Sequence, residues 1–90
     1  SQYVQRAQEI EEEKNRKQQA ERELGLALQQ VGMTQGLVAR NLYSKVDFLN
    51  QQQKVAALQG DISVLKASIP KAEAAAQEAL QRQMCIRDRV

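Results

Sequence analysis

Val38-Ala39-Arg40-Asn41-Leu42-Tyr43-Ser44-Lys45-Val46-Asp47-Phe48 carries the signals for one helix to end and another to begin within a few residues. Asparagine tolerates the left-handed backbone conformation that closes a helix, so Asn41 marks an end. Ser44 with Asp47 three residues on reads as an N-cap, the hydroxyl taking a free backbone N–H and the acid suiting the helix dipole. A turn at 41–44 predicts an all-α fold: a long antiparallel two-helix coiled-coil hairpin with arms of about 2–40 and 45–81. At ~1.5 Å per residue each arm is roughly 55–60 Å long.

Outward from the turn, Phe48, Gln51, Val55, Leu58, Ile62, Leu65, Ile69, Ala72, Ala76 and Ala79 alternate spacings of three and four without a skip, which is the seam of a coiled coil. Only Gln51 among them is not apolar. On the other arm Tyr3, Ala7, Ile10, Lys14, Lys17, Glu21, Leu24, Leu28, Val31, Gln35 and Val38 keep the same alternation, but Lys14, Lys17 and Glu21 make it a weaker seam.

Two registers one heptad apart compete. A turn around Gly32 to Gly36 makes partner numbers total 79 and sets Leu28 against Gln51 and Glu21 against Leu58, which wastes apolar surface. A turn at 41–44 makes them total about 86. It matches Val38 with Phe48, Val31 with Val55, Leu28 with Leu58, Leu24 with Ile62 and Gln35 with Gln51, and this is the register expected. Gly32 and Gly36 then lie inside the first helix at about 1 kcal/mol each. Pro70 removes the bond to Lys66 and crowds its carbonyl, predicting a kink near Pro70 in place of a break, with Ser68 available as a local cap.

The segment from Glu11 to Glu23 has no wide apolar face. Its charges fall at helical spacings, such as Glu12 with Arg16 and Glu13 with Lys17, as on a solvated helix surface, and Lys14 and Lys17 are expected to lay their stems along the seam.

Composition removes several classes of function. The chain has 90 residues, no His, one Cys and no Trp, so no Cys/His metal site, Ser-His-Asp triad or disulfide framework is expected, and neither is an enzyme. No cofactor is expected. A net charge of +2 and only Tyr3, Tyr43 and Phe48 as aromatics argue against nucleic acid as a partner. Twelve alanines and fifteen glutamines give the texture of long exposed helix, and one two-helix layer buries little per residue, so the isolated chain is expected to be marginally stable.

The ends read as boundaries of a fragment. Met84-Cys85-Ile86-Arg87-Asp88-Arg89-Val90 breaks the Ala/Gln/Glu texture, and its first six residues look like the translation of a transposase adapter used in sequencing-library preparation. Residues 84–90 are therefore expected to be a non-native scar and 1–83 the hairpin domain. Without the scar the net charge falls to +1. The start at Ser1, with no Met, no basic and apolar leader and no run of 18 apolar residues, suggests an internal piece of a larger protein.

At the tip, Val38, Leu42, Tyr43 and Val46 place apolar groups where a helical pair has least of its own surface to cover them. Exposed apolar groups at the end of a rod suggest a partner, while closure of the hairpin over Phe48 would equally account for them.

The stretch Leu37-Val38-Ala39-Arg40-Asn41-Leu42-Tyr43-Ser44-Lys45-Val46-Asp47-Phe48-Leu49, followed by Ala67-Ser68-Ile69-Pro70-Lys71-Ala72-Glu73-Ala74-Ala75, resembles the α-helical hairpin of haemolysin D (HlyD)-like periplasmic adaptors, the membrane fusion proteins of type I secretion systems. The resemblance covers essentially all of 1–83. Related multidrug-efflux adaptors carry Arg-x3-Leu-x6-Ser at the tip, and Leu37 and Ser44 fit its Leu-to-Ser spacing. The arginine position falls on Met33, with Arg40 and Lys45 offering positive charge nearby, and Asn41 replaces the family's usual glycine.

The resemblance implies a parent protein anchored in the bacterial inner membrane with this hairpin in the periplasm. It implies a TolC-like outer-membrane channel as partner at the tip and an ABC transporter as partner through other domains, for protein secretion. It also implies a homo-oligomer, six hairpins in the family's usual assembly. Leu37, Arg40, Leu42, Ser44 and Lys45 are the candidate partner-binding residues. A multidrug-efflux adaptor hairpin and a generic coiled-coil scaffold are the alternatives.

Overall fold

The computed structural model describes residues 1–88, and it contains two helices, α1 (Gln2–Ala39) and α2 (Lys45–Asp88), folded back on one another as a hairpin. Helix α1 starts at Ser1, whose Oγ accepts a hydrogen bond from the Val4 N–H at 3.3 Å. The molecule extends 75 Å along its axis and 14 Å in both transverse directions. Two straight, flat-lying helices would be wide in one transverse direction and only about 5 Å in the other, from a Cα radius of ~2.3 Å. Equal widths fit a pair that winds about itself, as a seam alternating three and four requires.

All ten seam positions of α2 turn inward. Gln51, Leu58, Ile69 and Ala76 are buried, and Phe48, Val55, Ile62, Leu65, Ala72 and Ala79 are half-buried. The register is the expected one. Contacts between the arms join Thr34 to Gln51 and Lys14 to Glu73, partner numbers totalling 85 and 87. The centre of the core joins Ala20, Ala27 and Leu58, with Leu24, Val55 and Ile62 packed against them.

On α1 four of the eleven predicted seam positions are displaced by one residue. Tyr3, Ala7, Ile10, Lys17, Leu24, Val31 and Val38 face inward as expected, but Glu13, Ala20, Ala27 and Thr34 take the places assigned to Lys14, Glu21, Leu28 and Gln35. Ala27 is 6% exposed and Leu28 48%. Both choices keep alternating spacings, so periodicity does not separate them. Packing does: the displaced seam frees Glu21 and Lys14 for water, and sets the small side chains of Ala20 and Ala27 against the large ones of α2. Leu28 is left on the outer surface with Leu26.

Polar contacts along the arms also differ from the expected i,i+4 pairs. Lys17 bridges to Glu21 at 3.2 Å in place of Glu13, and Lys14 bridges across the arms to Glu73 at 3.4 Å. Glu13 instead accepts from Ser68 of the other arm at 3.2 Å. Ser68 is thus no cap, because α2 runs through it and through Pro70 without a break. Its single hydroxyl proton lies within reach of the Glu13 carboxylate and of the Leu65 carbonyl at 3.4 Å. Any bend at Pro70 stays within the 14 Å cross-section.

Helix α2 is longer than expected, continuing past 81 to Asp88. No Gly, Pro or capping residue after Gln81 stops it, Arg82 bonds Glu78 at 3.4 Å across one turn, and Arg87 favours the helix's negative end. Residues 84–88, read as part of a scar, therefore continue the helix as an overhang beyond the start of α1, exposed over 84–87. Arg89 and Val90 of that segment lie outside the described residues.

Two expected outcomes test this packing. Leu58→Ala lowers the unfolding free energy by about 2–3 kcal/mol while Leu28→Ala changes it by under about 1 kcal/mol, measured by urea denaturation followed by circular dichroism. Gly25 and Gly60 lie inside the helices with nothing within 4 Å of an added Cβ, so Gly25→Ala and Gly60→Ala each raise stability by roughly 1 kcal/mol.

Candidate functional site at the hairpin tip

The turn is built from two caps. Asn41 has φ 57°, the positive φ of the left-handed region, and follows Arg40, which closes α1. The Leu42 N–H donates to the Leu37 carbonyl at 2.8 Å and the Asn41 N–H to the Val38 carbonyl at 3.0 Å. These paired bonds, six residues to one and five to two, form the Schellman closure and satisfy carbonyls that the helix end would otherwise leave free. On the other side Ser44 Oγ accepts from the Asp47 N–H at 3.2 Å, and the Ser44 carbonyl accepts from Phe48 N–H at 3.0 Å. Asp47 supplies the acid in the first turn of α2.

The caps decide what the turn displays. The Schellman closure makes Leu37 and Leu42 its apolar pair, and both reach solvent: Leu37 at 36% exposure, Leu42 at 61%. Val46 and Leu49, one turn apart on α2, are 65% and 56% exposed. Arg40, Ser44 and Lys45 are exposed as well, and neither Arg40 nor Lys45 forms a salt bridge among the described residues. All five residues singled out in the sequence thus lie at the accessible end of the rod.

Two of the four apolar tip residues take the closing role that the sequence left open beside the partner-facing one. Val38 and Tyr43 are half-buried, closing the hairpin over the half-buried Phe48. The Tyr43 hydroxyl accepts from Gln51 Nε2 at 2.7 Å. Leu49 is the reverse case, an exposed apolar residue not singled out from the sequence, and its i,i+3 relation to Val46 is the signal that would have found it. Ser44 has a structural role as cap whatever else it touches.

Among the described residues no group of three or more His, Cys, Asp or Glu is placed to hold a metal ion, and no helix is long and apolar enough to cross a membrane. Cys85 is free and exposed on the overhang. The chain matches no family model, no curated protein and no solved structure.

The cap chemistry sets an expected mutational pattern. Asn41→Gly leaves stability unchanged or higher, whereas Asn41→Val lowers it by about 1–2 kcal/mol, because a β-branched side chain is strained at φ 57°. Ser44→Ala costs about 1 kcal/mol. Thermal melts of the three variants check both effects.

Proposed function

We propose that this chain is the hairpin of a periplasmic adaptor of type I secretion, coupling an inner-membrane ABC transporter to a TolC-like outer-membrane channel. The observation that carries the reading is the set of unburied apolar residues Leu42, Val46 and Leu49 at the end of the rod. A hairpin needs none of these residues for its own seam, and apolar groups gathered at an end are suited to insertion into a partner. Arg40 and Lys45 flank them with positive charge. The resemblance of the turn and of the Ser68-Ile69-Pro70-Lys71-Ala72 segment to HlyD-like adaptors supplies the identity of the partner, and the 75 Å span suits a linking role. The parent would be anchored in the inner membrane with this hairpin in the periplasm, in a homo-oligomer. The role is mechanical and interfacial, not enzymatic. A multidrug-efflux adaptor would share the hairpin, but Met33 stands where its tip motif has arginine.

A generic coiled-coil scaffold is the second reading, favoured by Leu26, Met33 and Val64 exposed along the arms. One experiment separates them. In the full-length parent protein, a photo-cross-linker at Leu42 or Lys45 is expected to capture the outer-membrane channel, and one at Gln59 is not. Leu42→Asp with Val46→Asp, at positions exposed enough to leave the fold intact, is expected to reduce export of the secreted protein by roughly tenfold or more, the loss of a central contact. Unchanged export with cross-links confined to copies of the same chain at mid-arm overturns the adaptor reading in favour of the scaffold.

A further inference from the structure

A seam that repeats every seven residues does not by itself choose between registers one heptad apart. Val55 faces Val31 in the observed register, and a slip either way would set it against Leu24 or Val38, again apolar on apolar. The caps at Asn41 and Ser44 favour the observed register locally, and a feature of the seam that does not repeat has to support that choice along the arms. Gln51 is the one polar residue among the ten seam positions of α2, and at 9% exposure it is buried. Its Oε1 accepts from Thr34 Oγ1 of α1 at 2.7 Å, and its Nε2 donates to the Tyr43 hydroxyl of the turn at 2.7 Å. Turned over, the amide would donate to Thr34 and accept from Tyr43, while the Thr34 proton went to the Gln30 carbonyl, 2.9 Å away. Both orientations pair each end of the amide.

We propose that Gln51 sets the heptad register of the hairpin, acting as a hydrogen-bonded lock that joins α1, α2 and the turn. In neither slipped register do Thr34, Gln51 and Tyr43 meet. A slip toward the base sets Gln51 against Ala27 and leaves its amide unpaired in an apolar layer. A slip toward the tip sets Thr34 against Leu58. A buried polar group is costly only when it loses its partners, so the lock penalises the wrong registers more than it stabilises the right one. The bond to Tyr43 also holds the middle of the turn inward, which leaves the neighbouring Leu42 facing out. The other polar contacts between the arms use longer or more exposed groups: Lys14 and Glu73 are about half exposed, and Glu13 reaches Ser68 at 3.2 Å. Gln51 is thus a positioning residue for the tip.

The test uses the 90-residue chain with Cys85→Ser and three cysteine pairs, each with Val55→Cys: Val31→Cys for the observed register, Leu24→Cys and Val38→Cys for the two slips. With Gln51 present, oxidation in a thiol-exchange buffer is expected to cross-link the 31–55 pair strongly and the other two weakly. Gln51→Leu is expected to keep the helical signal and the melting midpoint while raising the yield of a slipped cross-link about tenfold, the loss of two buried hydrogen bonds. Should Gln51→Leu lose its helical signal, Thr34→Val with Tyr43→Phe, which leaves Gln51 in place, decides by the same cross-links. Slipped cross-links that stay at the level of the Gln51 chain in the folded variant overturn the proposal. A lowered melting point with an unchanged cross-link pattern overturns it equally, since that is the signature of packing alone.

Discussion

A hairpin of two helices has a single interface, and whatever α1 buries it buries against α2. Among the described residues no side chain is fully enclosed, and the buried set is a thin line from Ile10 and Ala76 at the base to Gln51 near the tip. Every other feature depends on that line being in register. The overhang of α2, the cross-arm contacts of Glu13 and Lys14, and the residues that the turn displays would all change with a slip of seven residues. Helices of 38 and 44 residues are much longer than isolated propensity needs for nucleation, but their stability in water still comes mainly from the shared apolar face.

The line is economical in volume. Opposite the large side chains of α2, the first arm presents Ala20 and Ala27, and beyond them Thr34 and Glu13 contribute groups that reach across to polar partners. Small against large permits close approach along the middle of the rod, while polar contacts lie toward its two ends. Glycines at 25, 32, 36 and 60 take no part in this packing, since an added Cβ at each would meet only open space. Their cost in helix stability is not recovered within the hairpin.

At the tip two demands are reconciled in few residues. The backbone must reverse direction, which takes the left-handed Asn41, the paired bonds to the Leu37 and Val38 carbonyls, and the Ser44 cap. It must also close over the end of the seam, and doing so with Tyr43 and Val38 inward leaves Leu42, Val46 and Leu49 outward. The same hydroxyl that anchors Tyr43 to Gln51 connects this display to the register of the arms.

Much of this was legible in the linear chain. The ten inward positions of α2, the turn at 41–44, the left-handed Asn41, the Ser44 cap and the choice between registers follow from spacing, local backbone preference and matching of apolar partners, all short-range or one-dimensional properties. The five tip residues were legible for the same reason: a turn between two long helices has to be at an end. What spacing left undecided is the rotation of α1 about its own axis, because Leu24-Ala27-Val31 and Leu24-Leu28-Val31 are equally regular. Only the facing helix resolves it, by the volume available opposite Leu58 and the cost of holding Glu21 in the seam. The partnership of Thr34, Gln51 and Tyr43 belongs to the same class. Three residues at separations of 8 and 17 meet only once the arms are folded together, so their hydrogen bonds are a property of the tertiary structure and of no shorter stretch of chain.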